Sequence, residues 1–220
     1  MSRLFDTRDP DAFAAGIEAA VAAAREGEQV VVSTESAYGV GADAFRRDGL
    51  MRLRQSKGRD AGMPVPVLVA DLETALSMTT RVGEAGRLLM RHFWPGSLTI
   101  MARVHPALSW DVGGAEQNTV SVRIPLHQVA WRLVRELGPL ALTGANLAGR
   151  PTPRTCDDAR EQLGEAVAVY LDSGECNLEP PSSVVDVTAD PPVLLRDGAI
   201  PLDQLRRVAD VTRGLPVKSG

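Results

Sequence analysis

Four polar clusters in this 220-residue chain stand where apolar segments end, and their residue types suit an anionic ligand. The first is Thr34-Glu35-Ser36, followed by Tyr38, Gly39 and Gly41, within "VVSTESAYGVGADAF". An ordinary surface turn needs only one or two such residues, whereas a loop that holds a small polar ligand uses all of them. The second is Lys57-Gly58-Arg59, which sets two cations beside a flexible backbone. Lysine offers a point charge and arginine a bidentate fork, a combination that cradles phosphate. The third is "TGAN", residues 143–146, running on into "LAGRPTP"; the fourth is "PSSVVD", with Arg196 downstream. Exposed amides of glycine-rich turns and short hydroxyl side chains add donors for phosphate oxygens.

Taken singly, most of these residues have plainer roles. Lys57 and Arg59 suit a solvated helix C-terminus, where cations favour the dipole. Thr34 and Asn146 are ordinary turn residues. Arg123 differs, because it lies mid-strand among apolar neighbours in "TVSVRIP" and there needs a partner or a ligand. Spacing alone supports an anion-binding site and no more.

Several familiar chemistries lack their motifs. The chain has no GxxxxGK[ST], so it is not a P-loop NTPase, and "GVGADAF" is not a dinucleotide fingerprint. It has no GxSxG, and no histidine is obviously placed to activate a serine. His92, His105 and His127 lack metal-ligand spacing, and Cys156 and Cys176 form no CxxC, so no metal site built from side chains is identified. One disulfide between the two cysteines stays open. The formal charge of −4 gives no overall basic field for nucleic acid, although a local basic cleft is compatible with it. "MSRLFDTRDP" is acidic and broken by Pro10, unlike a signal peptide, and "AFAAGIEAAVAAA" is too short and weakly apolar to span a bilayer. A cytoplasmic protein with no membrane association is expected.

The elements that must position these clusters follow from periodicity. Phe13, Ile17, Ala20, Val21 and Ala24 recur as one face of a helix from about Asp11 to Gly27. "QVVVS" reads as a strand, and Tyr38, Gly39 and Gly41 as a tight turn after it. "DGLMRLRQSKG" reads as a helix with Asp48 as N-cap and Gly58 as stop. "VPVLVA", "SLTIMARV", "TVSVRIP", "PLALTGAN", "AVAVYLD", "SSVVDVT" and "VLLRDG" read as strands. Helices are expected near 72–80, 82–93, 127–138, 156–164 and 202–209. Val120, Val122 and Ile124 should face one side of their strand, and Thr119, Ser121 and Arg123 the other. Interleaved helices and strands predict an α/β sheet covered by helices, mixed rather than purely parallel because the last strands follow one another directly. Composition, 44 % hydrophobic and 24 % charged, fits one globular domain over 1–220, with its core at about 11–208 and a tail at 211–220 expected to fray.

Seven collinear motifs then resemble the YrdC-like threonylcarbamoyl-AMP synthases. They are "STESAYGVGADA", "KGRDAGMPVPVLV", "FWPGSLTI", "TVSVRIP", "GANLAG", "PSSVVD" and "LRDGAI". The resemblance implies a twisted mixed sheet with flanking helices and a basic concave cavity. It implies that ATP and L-threonine bind there side by side, with bicarbonate or CO2 as third substrate and Mg²⁺ accompanying ATP. On that resemblance Thr34, Arg123 and Ser182 contact L-threonine, and Lys57 and Arg59 are catalytic, gripping phosphates and the developing carboxylate. Lys57, Thr119, Leu142, Gly144, Asn146, Thr152 and Arg196 then bind ATP, with Leu142 and Gly144 acting through backbone. Tyr38 shapes the pocket wall, and the glycines beside it let backbone approach the ligand. The product would serve tRNA modification, so tRNA itself is met only indirectly or weakly, and a downstream threonylcarbamoyl transferase is the implied partner.

The chain departs from the family pattern in four places. Ser33 stands for proline, Ser36 for threonine, Gly144 for the serine of S-A-N, and Pro181-Ser182-Ser183 for E-S-T. A missing hydrogen bond to a charged group costs about 1.5–3 kcal/mol, so Gly144 is the departure that bears on activity. The alternatives are a catalytically weakened paralogue that binds nucleotide or RNA, and a carbamoyl-transfer enzyme of the same fold. The absence of an RNP-type aromatic motif weighs against an RNA module. The single domain weighs against the transferase, whose like domain sits in much larger chains, and against the longer family members with an additional domain.

Overall fold

The computed structural model describes residues 1–56, 65–108, 118–176 and 180–214. Lys57, Gly58 and Arg59, and the end of the expected tail at 215–220, lie outside them. The strands are β1 (Arg3–Asp6), β2 (Val30–Ser33), β3 (Tyr38–Asp43), β4 (Val67–Leu68), β5 (Thr79–Thr80), β6 (Leu98–Val104), β7 (Thr119–Arg123), β8 (Leu140–Gly144), β9 (Val169–Asp172), β10 (Ser183–Asp186), β11 (Val193–Arg196) and β12 (Thr212–Arg213). The helices are α1 (Pro10–Arg25), α2 (Arg47–Ser56), α3 (Leu72–Met78), α4 (Glu84–Phe93), α5 (Gln128–Leu137), α6 (Cys156–Leu163) and α7 (Leu202–Arg206). Among the described residues all the strands join one sheet, ordered β1-β9-β2-β3-β8-β4-β7-β6-β10-β11-β12, with β5 on β6.

The sheet is mixed, as the sequence predicts. Pairs β1–β9, β2–β9, β4–β7, β6–β10 and β11–β12 are parallel, and pairs β2–β3, β3–β8, β4–β8, β6–β7 and β10–β11 antiparallel. Period-2 alternation sends successive residues to two cores. Val30 and Val32 join Ile17 and Ala20 of α1 and Leu133 and Val134 of α5. Val31 and Val40 join Leu50 and Leu53 of α2, Leu89 and Met90 of α4 and Ala159 of α6. Helices therefore cover both faces, and the described polar clusters lie at the ends of β2 and β8 and at the start of β10. Asp9 caps α1 by accepting from the Asp11 amide, with Pro10 opening the helix. Among the described residues no helix is long and apolar enough to cross a membrane.

Four expectations are corrected. Residues 38–43 are not a turn but β3, buried along nearly its whole length, and the true turn is Thr34–Ala37. A Cβ on Gly39 would stand 2.8 Å from the Leu142 side chain, and one on Gly41 2.9 Å from the Ala141 carbonyl. These glycines thus admit β8 rather than a ligand. Asp48 lies inside the first turn of α2, where Arg46 Nη2 donates to its carboxylate at 2.7 Å, rather than ahead of it as cap. The strand expected from "VPVLVA" keeps ladder pairing only at Val67 and Leu68. Residues 212–213 of the expected tail pair with β11, and Val211 beside them is fully buried. Both cysteines are free, buried thiols.

Candidate active site

Strand β2 delivers Ser33 and Thr34 to the polar end of the sheet. Thr34 Oγ1 donates to the Ala37 carbonyl at 2.8 Å, which closes the turn. Glu35 beside it points inward. Its carboxylate accepts from Arg123 Nη2, from the Leu126 amide, and from the His127 amide at 3.0 Å. Both members of the ion pair are buried, with side chains 9 % and 8 % exposed. Arg123 also donates through Nε to the Gly96 carbonyl at 2.8 Å. The mid-strand cation therefore has its partner, and the carboxylate in turn satisfies amides ahead of α5, where negative charge is favourable.

A second cation stands nearby in a different state. Arg196, at the end of β11, donates through Nε and Nη2 to the Ser182 carbonyl at 3.0 and 2.7 Å, and through Nη2 to Ser182 Oγ at 3.0 Å. Ser182 Oγ also shares a hydrogen bond of 2.8 Å with Thr99 Oγ1. Among the described residues no carboxylate pairs with Arg196. Partial desolvation and then the neighbouring Arg123 charge lower its pKa, although the residue as a whole is exposed, so a counter-charge would favour its charged form. An anion arriving at this place would supply it.

The third cluster lies across β3. The Ala145 amide donates to the Tyr38 carbonyl and the Tyr38 amide to the Pro153 carbonyl, tying both flanks of "GANLAGRPTP" to β3. Asn146 Nδ2 donates to the carbonyls of Leu147 and Arg150 at 3.0 and 2.8 Å, and Thr152 Oγ1 to Asn146 Oδ1 at 3.5 Å. A Cβ on Gly144 would meet Asn146 Oδ1 at 2.7 Å and Thr152 Cγ2 at 3.0 Å. The space a serine would need is thus taken by the two neighbours expected to bind nucleotide.

The remaining residues fall less centrally. Thr119 is buried at the opposite end of β7 from Arg123, about 13 Å along the strand at 3.3 Å per residue. Leu142 buries its side chain, and its amide is taken by the Pro66 carbonyl at 2.9 Å. Tyr38 has no exposed surface; its hydroxyl donates to the Gly174 carbonyl at 2.6 Å and accepts from the Ser173 amide at 2.9 Å. It props the loop after β9 from beneath.

That loop closes one wall of a cavity of about 370 Å³. The lining includes Ser33, Thr34, Glu35, His127, Glu175 and Cys176. Ser33 Oγ lies 3.3 Å from His127 Nδ1 and 3.2 Å from Nε2. Sequence reasoning found neither this pair nor the partner of Glu35, a residue of the first cluster, because the partners are 94 and 88 residues apart. Only the need of Arg123 for a counter-charge hinted at the second. Among the described residues no group of three or more His, Cys, Asp or Glu could hold a metal ion.

The Sua5/YciO/YrdC family model, described as "Telomere recombination", matches residues 22–198. The chain belongs to this family. A Mycobacterium leprae member, provisionally named a threonylcarbamoyl-AMP synthase, is 43 % identical over 216 residues, covering 98 % of this chain and 96 % of its own. The Bacillus subtilis threonylcarbamoyl-AMP synthase is 37 % identical over 204 residues, covering 92 % of this chain but 57 % of its own. Among solved structures of the family, Pyrococcus abyssi Sua5 complexed with L-threonine superposes with a TM-score of 0.85 at 31 % identity, covering 93 % of this chain and 62 % of that one. The mixed open sheet with flanking helices is the family's fold.

Proposed function

We propose that this chain is an L-threonylcarbamoyladenylate synthase, converting L-threonine, bicarbonate or CO2 and ATP to threonylcarbamoyl-AMP and pyrophosphate. The observation that carries the reading is the pairing state of the two arginines. Glu35 neutralises Arg123, whereas Arg196, locked onto Ser182, has no carboxylate partner among the described residues. A solvent-accessible cation without a carboxylate partner, so placed, suits an anionic substrate. The named relatives and the threonine-bound neighbour support the same reading.

In this reaction the threonine amine forms a carbamate with CO2. A carbamate oxygen then attacks the α-phosphorus of ATP, and pyrophosphate leaves. No protein nucleophile is required. The reactants are anionic, so catalysis is chiefly charge neutralisation and alignment. Thr34 and Ser182 hold threonine, and Arg123 positions the Thr34 turn through Glu35. Arg196, Asn146 and Thr152 hold the nucleotide, with Thr119, Leu142 and Gly144 supporting it. Lys57 and Arg59, outside the described residues, grip the phosphates, and Mg²⁺ arrives as part of the ATP substrate. The enzyme works in the cytoplasm and supplies a threonylcarbamoyl transferase that modifies tRNA.

The test is pyrophosphate release by the purified protein, with L-threonine and bicarbonate each supplied or omitted. Release that requires both supports the synthase, and Lys57→Ala and Arg59→Ala should abolish it. Release independent of threonine would sink the reading.

A further inference from the structure

The cavity between Thr34 and the loop after β9 holds two carboxylates, one imidazole, several hydroxyls and a thiol, and no lysine or arginine among the described residues that line it. Such a lining suits an ammonium group rather than a phosphate. If L-threonine is bound beside Thr34, as the proposed function requires, its α-ammonium group must lose a proton before nitrogen can attack carbon. The groups facing His127 are poorer acceptors. Glu35, from the turn after β2, has both oxygens engaged by Arg123 and the amides before α5. Glu175, from the loop after β9, is largely exposed and paired with Arg154 at 2.7 Å. Cys176, from the same loop, has its thiol pushed up to about 11 by burial and so stays protonated. Ser33, Thr34 and Ser173 are hydroxyls, with no basic form near neutral pH.

We propose that His127 is the general base that takes this proton from the substrate ammonium, a catalytic role that rests on the synthase reading. The N–H bond of the ammonium breaks and its proton passes to an imidazole nitrogen. The freed lone pair forms the C–N bond with CO2, and the nitrogen's second proton leaves to water, giving the carbamate. Burial lowers the His127 pKa, only partly offset by Glu35, so the imidazole is neutral at physiological pH and available as a base. Ser33 Oγ, within 3.3 Å of both ring nitrogens, can donate to or accept from the ring as its tautomer changes. Ser33 is also one of the positions where the chain departs from its family pattern.

The experiment compares wild type with His127→Gln in threonine- and bicarbonate-dependent pyrophosphate release from pH 6 to 9.5. Activity of the wild type tests the synthase reading by itself; only the variant tests the base. General-base catalysis contributes about 100- to 10,000-fold, so His127→Gln should lose at least about 100-fold at pH 7. The loss should shrink at least tenfold by pH 9.5, where the threonine amine sheds its own proton, and ATP affinity should be unchanged. Imidazole added to His127→Gly should restore part of the rate at pH 7. A loss that is equal at every pH and not rescued by imidazole would make His127 merely structural and overturn the proposal. So would a loss below about threefold at pH 7. Unfolding midpoints of both variants identify any misfolded protein, and the imidazole rescue then decides.

Discussion

Arg196 meets Ser182 at both its carbonyl and its hydroxyl, within 2.7–3.0 Å, and so fastens the end of β11 to the start of β10. The serine hydroxyl continues the chain of bonds to Thr99 on β6. Arg196 is exposed and has no carboxylate partner among the described residues, so removing it leaves no buried carboxylate behind. Arg196→Met is therefore expected to weaken ATP binding about ten- to hundredfold, the equivalent of about 1.5–3 kcal/mol for hydrogen bonds to a charged group. Titration calorimetry with ATP measures it; unchanged affinity would remove Arg196 from the nucleotide site.

Glu35 is the opposite case. Glu35→Ala leaves Arg123 buried and uncompensated, together with two amides before α5. Breaking a buried pair from one side costs about 3–5 kcal/mol, and urea unfolding should show a fall of that order. Replacing both partners, as Glu35→Leu with Arg123→Met, should recover much of that stability. A Glu35→Ala protein as stable as wild type would refute the pairing.

Gly144 invites a restoring change to serine, since a serine stands there in the family pattern. The packing argues the other way. The new Cβ would meet Asn146 Oδ1 at 2.7 Å, and moving that amide disturbs its bonds to Leu147 and Arg150. Gly144→Ser should thus weaken ATP binding about tenfold, in keeping with one or two hydrogen bonds at about 1 kcal/mol each. Adding Thr152→Ala, which clears the second contact, should recover part of the loss of packing. Tighter ATP binding by Gly144→Ser would show that the hydroxyl outweighs the displacement.

Alkaline pH should unfold the protein through its buried thiols and phenols. Burial pushes Cys156 from 9.0 up to about 12 and Cys176 from 9.0 up to about 11, and raises Tyr38 and Tyr170 as well. Each folded pKa lies above its unfolded value, so the stability it contributes is whole below about pH 9 and is lost as pH rises through the folded values. Urea midpoints at pH 7, 9 and 10.5 should therefore fall progressively above pH 9. Cys176→Ser should flatten that decline; a pH-independent midpoint would contradict it.

Periodicity located the buried elements well, because Val30 to Val32 and the α1 and α5 stripes carry their own burial signal. It misread β3, since the alternating glycines of Tyr38–Asp43 look like turn residues until the Leu140 and Leu142 side chains that occupy their missing Cβ space are known. It passed over β1, four short and mostly exposed residues held by pairing with β9. The motif order pointed to Arg196, Ser182 and Asn146; Arg196 and Asn146 bond to residues within 14 in sequence, whereas Ser182 also reaches Thr99, 83 residues away. His127 and the partners of Glu35 escaped notice, since no local pattern announces a partner on a distant strand.

The reach of Glu35 across 88 residues to Arg123 and 91 to Leu126 also bears on how the molecule assembles. Closing loops of that length precedes any gain from the contact. The Thr34 turn thus acquires its working shape only when the amino-terminal and central strands have already come together. Catalytic competence should appear late in refolding and vanish with the global unfolding transition, so a half-folded chain would be silent rather than weakly active.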